Sequence, residues 1–212
     1  MTAPGGAPPA TLRVLDDGTR SLVRVAAVVA GGTEMEVRAA LADAYRSVAH
    51  TWIEELLLQS YLFAGFPRAL NAFREWRRLV PAPAEAATPV IDVSTWVERG
   101  TATCRAVYGR MYDKLRGNIA TLHPDLDAWM IAEGYGKVLS RPGLDLPRRE
   151  LCIVAACVAS GQDRQLHSHL HGALNVGVAG DVLRSALEAL ASVVPRARVD
   201  SALLLFARVA AK

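Results

Sequence analysis

The stretch RELCIVAACVASGQDRQLHSHLHGA, residues 149–173, decides the fold. Its first half is rich in Ala, Val and Leu without the alternation of a strand, and Ala is the best helix former. Asp145 and Pro147 precede it as an N-cap and first-turn pattern, and Gly161 ends the first run. The stretch therefore predicts two helices that are joined by a short turn.

A similar stretch occurs earlier in the chain. When the sequence is shifted against itself by 129 positions, residues 149–173 align with residues 20–44, RSLVRVAAVVAGGTEMEVRAALADA. Within it, Gly32 ends a first helix and Thr33 with Glu36 forms a capping box for a second. Two Ala-rich hairpins could match by chance, but the shared helix ends favour a duplication. We expect an all-α fold that is built from two related helical repeats.

The spacing of Pro-rich segments suggests the domain organisation. Residues 1–12 are rich in Pro, Gly and Ala and predict a disordered tail, and residues 81–92 read as a Pro/Ala-rich linker. Residues 13–80 then form a first, degenerate helical repeat, and residues 93–212 a second repeat, whose first part, to about residue 140, is an inserted helical segment. The second repeat carries the chemistry described below.

Composition excludes several classes of protein. The chain has 212 residues, 51% of them hydrophobic and 21% charged, with a formal net charge of +3, which is typical of a globular protein. The one dense basic segment, Arg74, Arg77 and Arg78, has no interleaved aromatic residues and predicts a solvated helix face, so no nucleic-acid partner is expected. No apolar run reaches the ~20 residues that span a bilayer.

Localisation is predicted from the N-terminus and the cysteines. The first twelve residues lack the pattern of a signal peptide, and Cys104, Cys152 and Cys157 form no regular framework. We expect a cytoplasmic protein with no membrane partner, in which these cysteines are small buried hydrophobic residues rather than a redox pair.

Glu150 and His169 are the residues whose position suggests catalysis. Glu150 lies about eleven residues before the turn of the predicted hairpin and His169 about eight after it, so the two come to similar heights on neighbouring helices. A carboxylate beside an imidazole orients the ring and raises its proton affinity. The alternative is a surface glutamate and an ordinary core histidine.

Other polar residues of the hairpin could bind a ligand. His167 and His171 are four positions apart and share a helix face, but no third ligand accompanies them, so we expect no metal. An aromatic group in the first half, which includes Phe63 and Phe66, predicts core and could also form the wall of a cleft against the second half.

Longer motifs carry a family resemblance. They are RGTATCRAVYG (99–109), HPDLDAW (123–129), EGYGKVLSRPGLDLPRRELCIVAACVASG (133–161) and HSHLHGALNVGV (167–178). This region resembles the carboxymuconolactone decarboxylase and alkylhydroperoxidase D family, and residues 52–76 resemble the last two helices of the same family.

The resemblance has implications for assembly and chemistry. It implies an all-α fold that assembles as rings of six repeats, so a two-repeat chain is expected to form a homotrimer, a pseudo-hexameric ring. The peroxidase branch uses a Glu, a CxxC pair and a His; Glu150 and His169 match two of these, but Gln162 and Gln165 stand at the cysteine positions. A thiol peroxidase is therefore the less favoured reading. In the decarboxylase branch the residue two after the His is often Arg, and here it is His171.

These observations lead to a functional hypothesis with alternatives. The chain is expected to be a cofactor-free decarboxylase-like enzyme that acts on a small lactone or carbonyl acid, with Glu150 and His169 as catalytic residues. His171, Arg149 and His167 are the predicted substrate-binding residues, and the first half, with Ser21 and Ala40 at the matching positions, is structural. A non-catalytic or binding member of the family is the alternative.

Overall fold

The computed structural model describes residues 11–81 and 93–211, and every regular element in these ranges is helical. The predicted all-α fold is confirmed for this part of the chain. The predicted linker, apart from residue 81, and residues 1–10 of the predicted tail lie outside the described residues. Leu12, which the sequence placed in the tail, pairs with the second half through an isolated bridge to Val178.

The elements follow the chain from one end to the other. The first half holds α1 (Asp17–Gly31), α2 (Glu34–Tyr45) and α3 (His50–Leu79), and the inserted segment holds α4 (Trp96–Tyr108), α5 (Tyr112–Leu122), α6 (Pro124–Trp129) and a π-helical segment (Met130–Leu139). The second half holds α7 (Leu146–Ser160), α8 (Asp163–Asn175), α9 (Gly180–Ala189) and α10 (Arg196–Ala210). Short 3₁₀ turns lie between some of these elements.

The predicted helix ends are confirmed. Thr33 and Glu36 form a full capping box at the start of α2, and Asp145 caps α7 by accepting a hydrogen bond from the backbone N–H of Arg148. Gly161 ends α7 in the left-handed conformation, with φ of 73°. A glycine adopts this conformation without the steric cost that a side chain would add.

Helix α3 is bent at Gly65, whose φ of 80° and ψ of 159° are not helical. Pro67 begins the helical path again two residues later, in a position where its missing N–H costs nothing. The bend turns α3 into two consecutive helices. The first half thus follows α1 and α2 with a further helix pair, as the second half follows α7 and α8 with α9 and α10.

The first helices of the two halves, α1 and α7, pack side by side in the core. Thr19, at the start of α1, accepts a hydrogen bond from Arg148 at the start of α7, with 2.8 Å between Arg148 Nε and Thr19 Oγ1. At the other end, a Cβ on Gly31 would lie 2.8 Å from the carbonyl oxygen of Ala159. The two helices therefore run parallel and approach closely, because small residues face each other along their contact.

The inserted segment is held by a second close helix contact. A Cβ on Gly100 of α4 would lie 2.0 Å from the carbonyl oxygen of Ile131, and one on Gly136 would lie 2.0 Å from that of Trp96. Only glycines permit this approach of α4 to the π-helical segment. The contact places the C-terminal end of α4 beside α8. Among the described residues, none of the helices is both long and apolar enough to cross a membrane.

Candidate functional site

The predicted Glu150–His169 pair forms in the structure. His169 Nδ1 and Glu150 Oε2 lie 2.8 Å apart, one on α8 and the other in the first turns of α7. Glu150 is fully buried, and His169 is 5% exposed. Because both helices belong to the short α7–α8 hairpin, their relative height is fixed by the turn at Gly161. A carboxylate that accepts the Nδ1 proton sets the tautomer and orientation of the imidazole.

Gly172 makes room for this pair. A Cβ at position 172 would lie 2.7 Å from Glu150 Oε2 and 2.7 Å from a methyl carbon of Val107. The absence of a side chain on this turn of α8 therefore lets the Glu150 carboxylate fit between α4 and α8.

The second carboxylate oxygen of Glu150 has no hydrogen-bond partner. Oε1 is fully buried, and no described residue donates to it. An unsatisfied buried acceptor costs about 1–3 kcal/mol, so such atoms are rare in structures that only need to be stable. The orphaned oxygen is the feature of this pair that simple core packing does not explain.

His169 lies on the wall of a cleft of about 360 Å³. This volume is in the range of small-molecule sites. The cleft is formed by α3, α4, α6, the π-helical segment and α8, and its walls are mostly apolar. They consist of Leu62, Phe63, Tyr108, Leu126, Trp129, Met130, Glu133, Gly134, Tyr135, Leu139, Gln165 and His169.

Aromatic rings surround the imidazole. The Phe63 ring meets His169 edge to face with centroids 5.8 Å apart, and the Tyr108 ring lies 6.3 Å away. Phe63 comes from the first half, so the first half lines the cleft, one of the two roles considered for its aromatic group. Phe66 is 60% exposed, and the prediction that it belongs to the core is wrong.

Two tyrosines join the wall of the cleft to the Glu150 pair. Tyr135 donates a hydrogen bond to the Tyr108 hydroxyl over 3.2 Å. Burial raises the pKa of both phenols well above the ordinary value, and the nearby Glu150 carboxylate adds to each shift. Both tyrosines therefore stay protonated at neutral pH, and the Tyr108 hydroxyl keeps its own proton for donation.

Glu133 introduces a negative charge at the edge of the cleft. Its carboxylate accepts a hydrogen bond from the Tyr61 hydroxyl over 3.0 Å and pairs with Lys137 over 3.4 Å. No lysine or arginine is among the described residues that line this cleft. The space in front of His169 is thus apolar with a single carboxylate.

His167 and His171 face a different cleft from His169. Their rings contact each other with centroids 5.0 Å apart. Both line a second cavity, which has Arg110 and Lys114 on its other side. The structure brings these two histidines together, as their spacing predicted, but places them on the opposite side of Tyr108 from the His169 cleft.

Arg149 lies apart from both clefts. Its side chain is fully buried, and its guanidinium donates to Glu55 over 2.7 Å and to Gln59 over 3.0 Å. It also donates to the backbone carbonyls of Leu144 and Arg141. Every guanidinium nitrogen has a protein partner, so Arg149 ties α3 to α7 instead of facing a substrate as the sequence suggested.

The cysteines are buried away from solvent. Cys104, Cys152 and Cys157 are each at most 3% exposed, and all three are free thiols. Burial raises the pKa of Cys104 and of Cys157 to about 12, and it also raises the pKa of Cys152. Thiols of this kind are poor nucleophiles, because the thiolate is the reactive form.

Sequence reasoning missed three residues of the site: Tyr108, Glu133 and Gly172. Tyr108 and Glu133 stand in the motifs that carried the family resemblance, but their own spacing showed no relation to the hairpin. Gly172 follows the three histidines directly, and a glycine inside a predicted helix is a signal of close packing that could have found it.

The fold and this site define an all-helical protein with a buried Glu–His pair at a mostly apolar cleft. Residues 124–208 match the model of the carboxymuconolactone decarboxylase family. The chain thus contains a domain of this family, and the predicted resemblance is confirmed. The matched range includes the π-helical segment, α7 and α8, and with them both members of the pair.

Individual proteins with similar sequences carry two different names. The protein named Peroxisomal protein 2 from Schizosaccharomyces pombe is 33% identical over 140 residues, which cover 63% of this chain and 64% of that protein. A protein of the same name from Saccharomyces cerevisiae is 24% identical over 151 residues, 58% of this chain and 53% of its own length. The 4-carboxymuconolactone decarboxylase of Acinetobacter baylyi is 33% identical over 67 residues, 32% of this chain and 50% of that enzyme.

Proposed function

We propose that the chain is a cofactor-free acid–base enzyme of the carboxymuconolactone decarboxylase type, which acts on a small lactone or carbonyl acid at His169. The observation that carries the proposal is the 2.8 Å bond between His169 Nδ1 and Glu150 Oε2 beside a cleft of ligand size. The partial similarity to a 4-carboxymuconolactone decarboxylase supports the reaction class.

His169 Nε2 is the atom that would exchange a proton with the substrate. Glu150 accepts the Nδ1 proton, and no described residue is hydrogen-bonded to Nε2. A neutral imidazole of this tautomer presents a lone pair at Nε2, and an imidazolium presents a proton there. Glu150 holds the ring in one orientation, and the protonated ring can act as the general acid that a decarboxylation requires.

The bond changes of a decarboxylation fit these groups. The substrate carboxylate leaves as carbon dioxide, and the electron pair of the broken carbon–carbon bond passes to the conjugated carbonyl as a dienolate. The imidazolium of His169 then gives its Nε2 proton to carbon, and solvent restores the proton. The Tyr108 hydroxyl, which accepts from Tyr135, is a donor in this cleft that could stabilise the enolate oxygen.

A second substrate class is favoured by the charge of the cleft. Its described walls contain Glu133 and no lysine or arginine. A substrate with several carboxylates would find no cation in the described walls of this cleft, and the one carboxylate there, Glu133, already pairs with Lys137. A less charged carbonyl compound would find mostly apolar contacts. The same Glu150–His169 pair could move a proton on such a compound without loss of carbon dioxide.

The first test is release of carbon dioxide from γ-carboxymuconolactone by three forms of the protein: native, His169→Ala and Glu150→Gln. Removing a positioned acid–base group lowers turnover by about 10²–10⁴-fold. We expect turnover by the native chain and a loss of at least that order in His169→Ala. Equal turnover in all three forms would refute the assigned roles, and no turnover in any of them would leave the less charged carbonyl compounds to be screened.

A non-catalytic, binding member of the family is the other candidate, because the Glu150–His169 pair is almost entirely shielded from solvent. The unpaired Glu150 Oε1 argues against a purely structural pair. The two candidates separate in one experiment: a binding protein would bind its ligand equally well in Glu150→Gln and convert none of it.

Assembly and location remain predictions. The homotrimer predicted from the two-repeat organisation can be measured by light scattering of the purified chain. The cytoplasmic location is expected from the sequence, and the name Peroxisomal protein 2 of two relatives makes the peroxisome the alternative. Fluorescence microscopy of the tagged chain distinguishes the two compartments.

A further inference from the structure

A second cleft lies on the other side of Tyr108 from His169. It has a volume of about 770 Å³, which is enough for a small organic ligand. It is formed by the turn after α4, by α5 and by α8. Its described walls consist of Tyr108, Gly109, Arg110, Met111, Lys114, Leu115, Asn118, His167, Ser168, His171 and Asn175.

The two cationic residues of this second cleft have no carboxylate partner in the part of the chain that the structure describes. Arg110 and Lys114 are exposed, and neither has a carboxylate within 4.0 Å among the described residues. No aspartate or glutamate is among the residues that line the cleft. Asp113, which adjoins Lys114 in the sequence, is exposed and lies 3.8 Å from Arg105. The described walls of the second cleft therefore carry positive charge and no negative charge of their own.

Two histidines face these cations from α8. His167 and His171 lie one helical turn apart, with ring centroids separated by 5.0 Å. A neutral imidazole carries one N–H donor and a protonated one carries two, so the exposed ring of His167 can donate to an anion in either state. The described residues contain no group of three or more side chains that could hold a metal ion. The arrangement thus fits an anion better than a metal.

We propose that the second cleft binds a multiply charged small anion, a phosphate ester or a polycarboxylate. Arg110 and Lys114 supply the charge, and His167 supplies the opposing donor, with the His171 ring packed against it. The cleft differs in charge from the His169 cleft, whose described walls contain Glu133, paired with Lys137, and no lysine or arginine. This binding site is independent of the chemistry proposed at His169, although Tyr108 contributes to the walls of both.

Isothermal titration calorimetry with pyrophosphate and with citrate, at constant ionic strength, tests the proposal. We expect at least one of the two to bind. Arg110→Ala and Lys114→Ala should each weaken that binding by about tenfold, the usual effect of losing a charge-assisted hydrogen bond. Arg74→Ala is the matched control, because it removes an exposed arginine of α3 that does not line this cleft. It should change binding less than about twofold.

The preferred anion identifies the ligand class. Binding of pyrophosphate alone assigns the phosphate class, and binding of citrate alone assigns the polycarboxylate class. Absence of binding for both anions overturns the proposal, and so does an equal loss of affinity in Arg74→Ala. His169→Ala should retain full anion binding, so the outcome at this cleft is separate from the outcome of the decarboxylase assay. Circular dichroism of each variant checks that it is folded.

Discussion

Gly172 and Glu150 are in direct contact across the α7–α8 hairpin: a Cβ at position 172 would lie only 2.7 Å from Glu150 Oε2. That oxygen is also the one that binds His169 Nδ1. The position of the Glu150–His169 pair therefore depends on the absence of a side chain one turn further along the helix that carries His169.

Gly172→Ala should damage the site and the stability together. The added methyl group has to displace the Glu150 carboxylate or the Val107 side chain, and overpacking of this kind costs about 1–3 kcal/mol. We expect a lower urea midpoint and a shifted His169 imidazole signal in NMR spectra.

Gly117→Ala is the matched control. Gly117 also lies within a helix, α5, but a Cβ there would meet nothing within 4 Å. The control should therefore gain about 0.5–1 kcal/mol from helix propensity and leave His169 unchanged. A Gly172→Ala variant that behaves like this control would contradict the close contact.

The local part of this site could be predicted from the sequence. Asp145 and Gly161 mark the ends of α7, and the short turn that follows sets the heights of Glu150 and His169. These relations involve neighbouring residues of one hairpin, so caps and helical rise were sufficient to place the pair.

The walls of the cleft and the role of Arg149 could not be predicted in this way. Phe63 and Tyr108 come from distant segments, and no local pattern relates them to His169. Arginine is usually a surface residue, so the sequence does not predict that Arg149 is buried. In the structure, Glu55 and Gln59, at least 90 positions away, accept hydrogen bonds from its guanidinium in the core. Long-range pairing of this kind has no signature in a single sequence.

Arg149→Met should be strongly destabilising. The substitution leaves the buried Glu55 carboxylate with Arg141 alone and leaves Gln59 Oε1 without its donor, although Gln59 Nε2 still donates to the backbone carbonyl of residue 149. Breaking a buried ion pair costs up to about 3–5 kcal/mol. Urea unfolding, monitored by circular dichroism, measures the loss.

The control for Arg149 is an arginine whose ion pair lies at the surface. Arg196 pairs with Asp200 within one helix, and its side chain is 74% exposed. Arg196→Met should cost less than about 0.5 kcal/mol because solvent screens such pairs. Similar losses in Arg149→Met and Arg196→Met would contradict the structural role of Arg149.

Tyr108→Phe tests the proposed enolate donor. Losing one donor of an oxyanion lowers kcat by about 10²–10³-fold, while the apolar contacts that set binding remain. We expect kcat to fall with little change in KM once a substrate has been found. Tyr135→Phe removes only the group that donates to the Tyr108 hydroxyl, so its effect should be smaller. An equal or larger effect of Tyr135→Phe would assign the donor role to Tyr135.

The buried thiols should make stability depend on pH in the alkaline range. Burial raises the pKa of Cys104 to about 12, whereas an exposed thiol titrates near 9.0. Above pH 9 the unfolded chain loses this proton and the folded chain keeps it, so the free energy of unfolding falls as the pH rises towards about 12. Each such thiol contributes at most about 1.4 kcal/mol per pH unit.

Urea unfolding between pH 8 and pH 10, in the presence of a reductant, measures this slope in the native chain and in Cys104→Ala. The variant loses some packing energy at every pH, but its stability should fall less steeply, because one of the titrating thiols is gone. Parallel curves for the two proteins would mean that Cys104 ionises equally in the folded and unfolded states. In that case the thiol would be accessible, and the peroxidase reading, which the burial of the cysteines argues against, would have to be tested directly with a hydroperoxide.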